Sequence, residues 1–329
     1  MTTRVPRRTA LLWLISTSAC GGGGGSAPAP APAPAPLPAG WTRLADLPAG
    51  VAKAGVAALD GRLYVLGGYD TRRTVWVYDI AADRWSAGPT LARGTDNVAG
   101  AAAAGRVWAI GGEAGSTLQA LDPAAGTWAL APAAPAVRFA AAAGVIADRL
   151  HVAGGWNADN AASASLARHD VFDPAAGTWS AAAPLQVARN AAAAAVVDGR
   201  LWVLGGRAPG IRRGDQSPLA SVEVYDPAAN AWTAGPALPA ARGSLAAAAL
   251  GTRVYAFGGE DASGAVVDSV TRLDTATGTW TALPAMPQAL HGLGVVTAGG
   301  ALYVIGGFAG ASDAVGSESA ALYRYQPVA

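Results

Sequence analysis

Each of Trp41, Trp85, Trp128, Trp179, Trp232 and Trp280 is followed 26 residues later by the first glycine of a Gly-Gly pair. The pairs are Gly67-Gly68, Gly111-Gly112, Gly154-Gly155, Gly205-Gly206, Gly258-Gly259 and Gly306-Gly307. Successive tryptophans are nevertheless spaced unevenly, by 44, 43, 51, 53 and 48 residues. A constant module between variable gaps is the mark of a repeated structural unit whose insertions all fall in one place. Asp79, Asp122, Asp173, Asp226 and Asp274 each stand six residues before a tryptophan, so the variable stretch is one loop between the double glycine and the aspartate.

The unit reads as four strands. An alanine-rich run such as Ala191 to Val197 meets a tight turn, Asp198-Gly199 here and Asp60-Gly61 in the first unit, the dipeptide favoured in two-residue hairpins. An alternating strand follows, LYVLGG from Leu63 or LWVLGG from Leu201, then a third ending in VYDP (Val224 to Pro227). A DPAAGTW turn from Asp122 or Asp173 leads to the fourth strand at the tryptophan. Period-two alternation, β-branched and aromatic residues and the absence of a helical period make the chain all-β.

The double glycine after an aromatic-bearing strand, the YDP and the spaced tryptophan resemble the kelch repeat, over residues 41–329. The resemblance implies a six-bladed β-propeller of four-stranded antiparallel blades. No Trp-Asp dipeptide occurs, which argues against the other common propeller repeat. Trp41 opens a fourth strand with no third before it, and LYRYQPVA at the end is a third strand with no fourth. The N-terminal strand is therefore expected to complete the last blade, pairing near Tyr323 to Tyr325, and to leave no long open edge. Crowding of inner strands about the axis accounts for much of the 83 alanines and 43 glycines.

Before the propeller, Arg4, Arg7 and Arg8, an apolar Ala10 to Ile15 and a small-residue Ser16 to Ala19 read as a secretory signal over residues 1–19. Cys20, the single cysteine, follows at once, and a glycine run with alternating Ala-Pro makes residues 20–40 an extended spacer. That order resembles a bacterial lipoprotein, which implies lipidation at Cys20 and display on the cell envelope, although Thr17 stands where that family has leucine. Ordinary cleavage after Ala19 and a twin-arginine route through Arg7-Arg8 are the alternatives. Without the signal the charge balance is 20 Lys+Arg against 22 Asp+Glu, a net −2. Such a balance carries no footprint for nucleic acid. One cysteine and three scattered histidines give no disulfide framework or metal site, and no cofactor is expected.

The stretches between double glycine and aspartate position hold 10, 9, 17, 19, 14 and 18 residues, so blades 3 to 6 carry the long loops. Those loops share a face with the entries to the innermost strands, and loops on a rigid scaffold are the usual carriers of binding residues. Two rings are expected about the channel there. The first is the residue after each double glycine: Tyr69, Glu113, Trp156, Arg207, Glu260 and Phe308. In the second, Arg138, Arg189 and Arg242 stand ten residues after a tryptophan, with Arg93, Lys53 and His291 within two positions of that register. Arginines so placed suit a carboxylate, and aromatics suit a sugar or peptide face. They also fit a purely structural role, bonding loop carbonyls. Arg207, Arg212, Arg213 and Asp215 read as a solvated loop, otherwise a contact for an acidic partner. His151 and His169 fall in slots filled elsewhere by aromatic or aliphatic strand residues and read as packed.

The function expected is a monomeric recognition module at the envelope, binding a protein or glycan through the long-loop face without catalysis. The alternative is a periplasmic sugar mutarotase of the N-acetylneuraminate type, which kelch-type enzymes of that class suggest by resemblance; Glu113 or Glu260 would act as acid or base. A copper radical oxidase of the galactose oxidase kind is excluded, because its cysteine-tyrosine cofactor has no cysteine here beyond Cys20.

Overall fold

Why the units close into separate sheets is visible in their turns. The computed structural model describes residues 36–157, 164–208 and 216–327. The expected signal, Cys20, most of the expected spacer and the Arg212, Arg213 and Asp215 run lie outside them. The contacts define one unit beginning at Leu37. In the first hairpin Asp60 and Gly61 both take positive φ, 49° and 72°, and Asp198 and Gly199 repeat this in the fourth. Two successive left-handed residues twist a hairpin in the sense its strands require.

Six antiparallel four-stranded sheets result. Blade 1 comprises Gly55–Leu59, Arg62–Leu66, Val75–Asp79 and Arg84–Ala87, and blade 2 Ala99–Ala103, Arg106–Ile110, Leu118–Asp122 and Thr127–Ala131. Blade 3 is built of Ala142–Ile146, Arg149–Ala153, His169–Asp173 and Thr178–Ala182; blade 4 of Ala193–Val197, Arg200–Leu204, Val222–Asp226 and Ala231–Gly235. Blade 5 has Ala246–Leu250, Arg253–Phe257, Val270–Asp274 and Thr279–Leu283. Blade 6 draws on both ends of the described chain: Gly294–Ala298, Ala301–Ile305, Leu322–Tyr325 and, outermost, Trp41–Arg43. There Trp41 stands opposite Tyr325 and Arg43 opposite Tyr323. Among the described residues no helix is long and apolar enough to cross a membrane.

The repeated residues bond the blades to themselves and to each other. Asp79, Asp122, Asp173, Asp226 and Asp274 each accept backbone N–H bonds from the residues two and three further on, which fixes the turn into the fourth strand. Each of the six repeat tryptophans donates its indole N–H to a carbonyl of the preceding blade, as Trp128 to Pro89 at 2.8 Å and Trp232 to Ala183 at 2.7 Å. Trp41 does so to Pro284 of blade 5. The core is divided between blades: Leu63, Val65 and Tyr78 of blade 1 pack with Tyr303, Ile305 and Leu322 of blade 6. The double glycines mark where an incoming backbone passes very close. A Cβ on Gly258, which has φ of 55°, would lie 2.3 Å from the carbonyl oxygen of Leu290. Around the axis the innermost strands present Ala, Val and Gly to a channel of about 350 Å³.

Candidate binding site at the channel mouth

The mouth is organised by the chain entering each innermost strand. Twelve residues after the tryptophans stand Lys53, Asn97, Ala140, Ala191, Ser244 and Gly292. All six are left-handed, with φ between 47° and 58°. Their backbones form a belt about the axis: Lys53 donates to Gly292, Gly292 to Ser244, Ser244 to Ala191, Ala191 to Ala140 and Ala140 to Asn97, at 2.7 to 2.9 Å. A left-handed non-glycine residue costs about 1–2 kcal/mol, which these bonds offset.

One residue earlier, a second set of bonds pins the rim. The N–H of each residue after a double glycine donates to the carbonyl eleven residues after the tryptophan: Tyr69 to Ala52, Glu113 to Asp96, Trp156 to Phe139, Arg207 to Asn190, Glu260 to Gly243 and Phe308 to His291. The expected ring of six rim residues is thus held in place by the backbone, whatever side chain each blade carries.

The rim charges are paired across the seams between blades. Lys53 of blade 1 meets Asp313 of blade 6 at 2.5 Å, and Arg207 of blade 4 meets Glu260 of blade 5 at 2.6 Å. Arg72 of blade 1 bonds Glu113 of blade 2 and lies 3.7 Å from Asp96. Arg207 reaches its partner by lying over Gly243, where a Cβ would stand 2.8 Å from Arg207 Cγ. Burial pushes the Asp96 carboxyl up from its ordinary value, against the opposing pull of the Asn97 amide.

Three aromatic groups of blades 1 and 6 pack together. Phe308, fully buried, stacks on His291 at 5.3 Å and meets the Tyr69 ring edge-on at 5.5 Å, while Lys53 Nζ lies 5.9 Å from both the Tyr69 and the Phe308 centroids. His291 Nε2 donates to Gly310 at 3.0 Å, and its Nδ1 lies 3.5 Å from Glu260. Trp156 and Phe139 wall a cavity of about 290 Å³ that reaches from Lys53 of blade 1 across blades 2 to 5. Asn97, Asn190, Gln216 and Ser244 supply its neutral polar lining, Lys53, Glu113 and Arg207 its charged margin. Asn190 Nδ2 donates to Gln216 at 3.2 Å and to Ser165 at 2.8 Å, and Gln216 Nε2 is buried with no hydrogen-bond partner among the described residues. Among the described residues no group of three His, Cys, Asp or Glu is placed to hold a metal ion.

Of the second expected ring, Lys53 and His291 stand at the mouth and the arginines do not. Arg138, Arg189 and Arg242 are buried, at 1%, 0% and 2% exposure, inside blades 3, 4 and 5. Arg138 bonds Val152 and Asp170. Arg189 bonds the carbonyls of Gly205 and Ser221 at 3.0 Å and Glu223 at 2.6 Å. Arg242 bonds Gly258, Ser269 and Thr271, and without a carboxylate its guanidinium is pulled by burial down to about 10. Each ties the entry of its blade to the second and third strands, so these side chains are committed internally. Arg93 is exposed, lines none of the cavities described, and exchanges backbone bonds with the Gln119 amide. Of the residues picked from sequence, the structure gathers Tyr69, Glu113, Trp156, Arg207, Glu260, His291 and Phe308 at the mouth. It adds Phe139, Asn97, Asn190, Gln216 and Ser244. The signal for four of these was present, since they occupy positions eleven and twelve after a tryptophan, where an otherwise regular module varies from unit to unit.

Comparison with known proteins agrees with the repeat geometry. The Kelch motif model matches residues 52–92, 188–239 and 241–287. The chain carries kelch repeats. It is similar to Kelch-like protein 35 of Mus musculus, 27% identical over 236 residues that make up 70% of this chain and 38% of that one. Kelch-like protein terF of Aspergillus terreus is 28% identical over 214 residues, 58% of this chain and 46% of the relative. This kelch chain therefore spans less than half the length of these curated relatives. The solved structure of YjhT superposes with a TM-score of 0.72 at 15% identity, covering 84% of this chain and 95% of that one, a likeness of fold.

Proposed function

We propose that this kelch propeller is an envelope-tethered, monomeric recognition module that binds a protein or a glycan at its channel mouth and performs no chemistry on it. The observation that carries the reading is the contrast between walls and cavity. The walls are bonded to themselves through the belt, the pinned rim and the seam ion pairs. The cavity keeps Trp156 and several amide groups facing open space. Rigid walls around an open cavity favour recognition, because little ordering entropy is lost when a ligand enters. Kelch propellers are typically protein-binding modules, which agrees with this reading. The tether rests on Cys20 following the signal-like residues 1–19, with residues 20–40 as spacer. Metabolic labelling with a lipid analogue should mark the wild type and leave Cys20→Ala unmarked; equal labelling of both would remove the tether. Peptide and glycan arrays should report a ligand that Trp156→Ala weakens.

A second reading, sugar mutarotation of the N-acetylneuraminate type, draws support from Glu260 and His291, 3.5 Å apart at the mouth. The commitment of Arg138, Arg189 and Arg242 to the blades removes the anion cradle that this reading would have used. NMR of anomer exchange in N-acetylneuraminate decides it: acceleration by added protein would replace the non-catalytic reading.

A further inference from the structure

We infer that the cavity beside Trp156 takes an uncharged saccharide, whose ring lies on the indole and whose hydroxyls bond the amides of Asn97, Asn190 and Gln216. The inference rests on the recognition reading above and narrows its ligand. Three observations lead to it.

The first is electrostatic. Lys53, Arg72 and Arg207 each already face a carboxylate, in Asp313, Glu113 and Glu260, and the three arginines of the blade interiors are spent on carbonyls, hydroxyls and acids of their own blades. Among the described residues, a carboxylated or phosphorylated ligand would have to break a seam pair to gain a cation, and would then meet the carboxylate left behind. Exchanging one ion pair for another while stranding a charge is unfavourable in a partly buried site. An uncharged ligand disturbs none of the pairs.

The second is the division of the aromatics. Tyr69, His291 and Phe308 use their rings on one another, and Phe308 and His291 have no exposed surface at all. Trp156 makes no ring contact with another aromatic group among the described residues, is half-buried, and lines the cavity with Phe139. An indole held by its backbone, with a face toward a cavity and a polar N–H at its edge, is suited to a ligand that is apolar on one side and wet on the other. The C–H face of a pyranose ring is such a surface.

The third is the polar lining. Amides and hydroxyls both donate and accept, so they match sugar hydroxyls, which do the same, with no net charge to balance. Gln216 supplies a specific handle: its carbonyl oxygen accepts from Asn190 while its Nε2 is buried without a partner among the described residues. A buried donor left unmade is unfavourable, and a small turn of the Gln216 amide, which lines the cavity, would offer it to an entering hydroxyl oxygen. Ser244, on the belt at φ of 54°, brings a hydroxyl to the cavity floor. An acidic peptide, the main competing occupant, finds Lys53, Arg72 and Arg207, the cations at the mouth among the described residues, already paired.

The test is isothermal calorimetry on the chain with the signal removed, against glucose, galactose, mannose and N-acetylglucosamine and their short oligomers. N-acetylneuraminate and an acidic peptide form the control arms. Saturable binding of a neutral sugar is expected, unchanged between about 50 and 500 mM salt because no ion pair is made. Trp156→Ala should weaken it about tenfold, and Gln216→Leu should do so by a smaller factor, with melting temperatures recorded for both. Binding confined to N-acetylneuraminate or the acidic peptide, weakening with salt and abolished by Arg207→Ala, would overturn the neutral-sugar assignment and leave the recognition reading standing. Neutral-sugar binding that Trp156→Ala leaves untouched would also overturn it. Silence in every arm would count against both.

Discussion

Two sets of three cations encircle this propeller, and they differ in what they answer to. Lys53, Arg72 and Arg207 stand at the rim and pair across the seams between blades. Arg138, Arg189 and Arg242 stand a few residues away in the repeat but lie inside single blades, where they bond strand carbonyls and the side chain three before the turn position: Asp170, Glu223 and Thr271. The rim set lies beside a cavity and has water at hand, so losing a partner is tolerable. The interior set does not. A residue type with an apparent ligand-binding pattern can therefore be wholly structural a short distance along the chain from one that shapes a site. What separates them is whether the partner group comes from the same blade.

Replacing one member of each set is the strongest way to break this comparison. Arg189→Met strands Glu223 at 4% exposure and should cost about 3–5 kcal/mol in urea unfolding. Removing the acid as well, in Arg189→Met with Glu223→Leu, should recover most of the loss, since a buried pair can be exchanged for apolar groups at little cost. Arg207→Met should cost only about 1–2 kcal/mol, because the Arg207 side chain is partly exposed and Glu260 keeps His291 Nδ1 at 3.5 Å. Equal losses at Arg189 and Arg207 would abolish the distinction.

Acid sharpens it next. In blade 3 His151 Nδ1 lies 3.1 Å from His169 Nε2, and His169 Nδ1 bonds Ala183 at 3.3 Å, a pattern satisfied with both rings neutral. Burial pulls both down to about 4. The unfolded chain protonates them near 6.5, so it binds more protons between these values. The stability that the pair contributes is fully present above pH 6.5 and is lost as pH falls toward 4, by about 3 kcal/mol for one histidine. Asp96 at the mouth runs oppositely: its raised carboxyl favours folding at low pH and that contribution fades as pH rises through its folded value. His151→Phe, filling the slot with the ring type found in other blades, should flatten the unfolding midpoint between pH 4 and 6.5. An unaltered slope would mean that the pair does not titrate on unfolding.

The smallest effect probes the belt. Ala140 is left-handed at φ of 47° without a glycine's freedom. Ala140→Gly should raise stability by about 0.5–1 kcal/mol, the relief of strain outweighing the added entropy of the unfolded chain. A loss instead would mean that the belt bonds, and not the residue, set the conformation's energy.

Much of this molecule was legible in the residues alone. The Trp-to-glycine spacing of 26 gave the number of blades, and the aspartates six before tryptophan gave the turns and the position of every insertion. The first rim ring was legible too, because a residue following a double glycine is placed by local geometry. The arginine ring stayed open between a pocket and carbonyl bonding, since a ten-residue offset from tryptophan says where a side chain starts and not which way it leaves; the structure shows carbonyl bonding. Asp170 and Glu223 were a usable clue: acids appear three before the turn aspartate only in blades 3 and 4, two of the three whose entry carries an arginine.

The sequence by itself determined what is periodic: six modules, all-β, with glycine, aspartate and tryptophan at the points where backbone angle, turn bonding and blade contact leave little choice. Those properties depend on neighbours within a few residues or on an identical unit next door. Only the tertiary structure decided which charges meet. Lys53 and Asp313 are separated by 260 residues, and Arg207 and Glu260 by 53. Closing the ring brings such groups together, and pairing them leaves an aromatic and amide-lined cavity as the part of the mouth still open to a ligand.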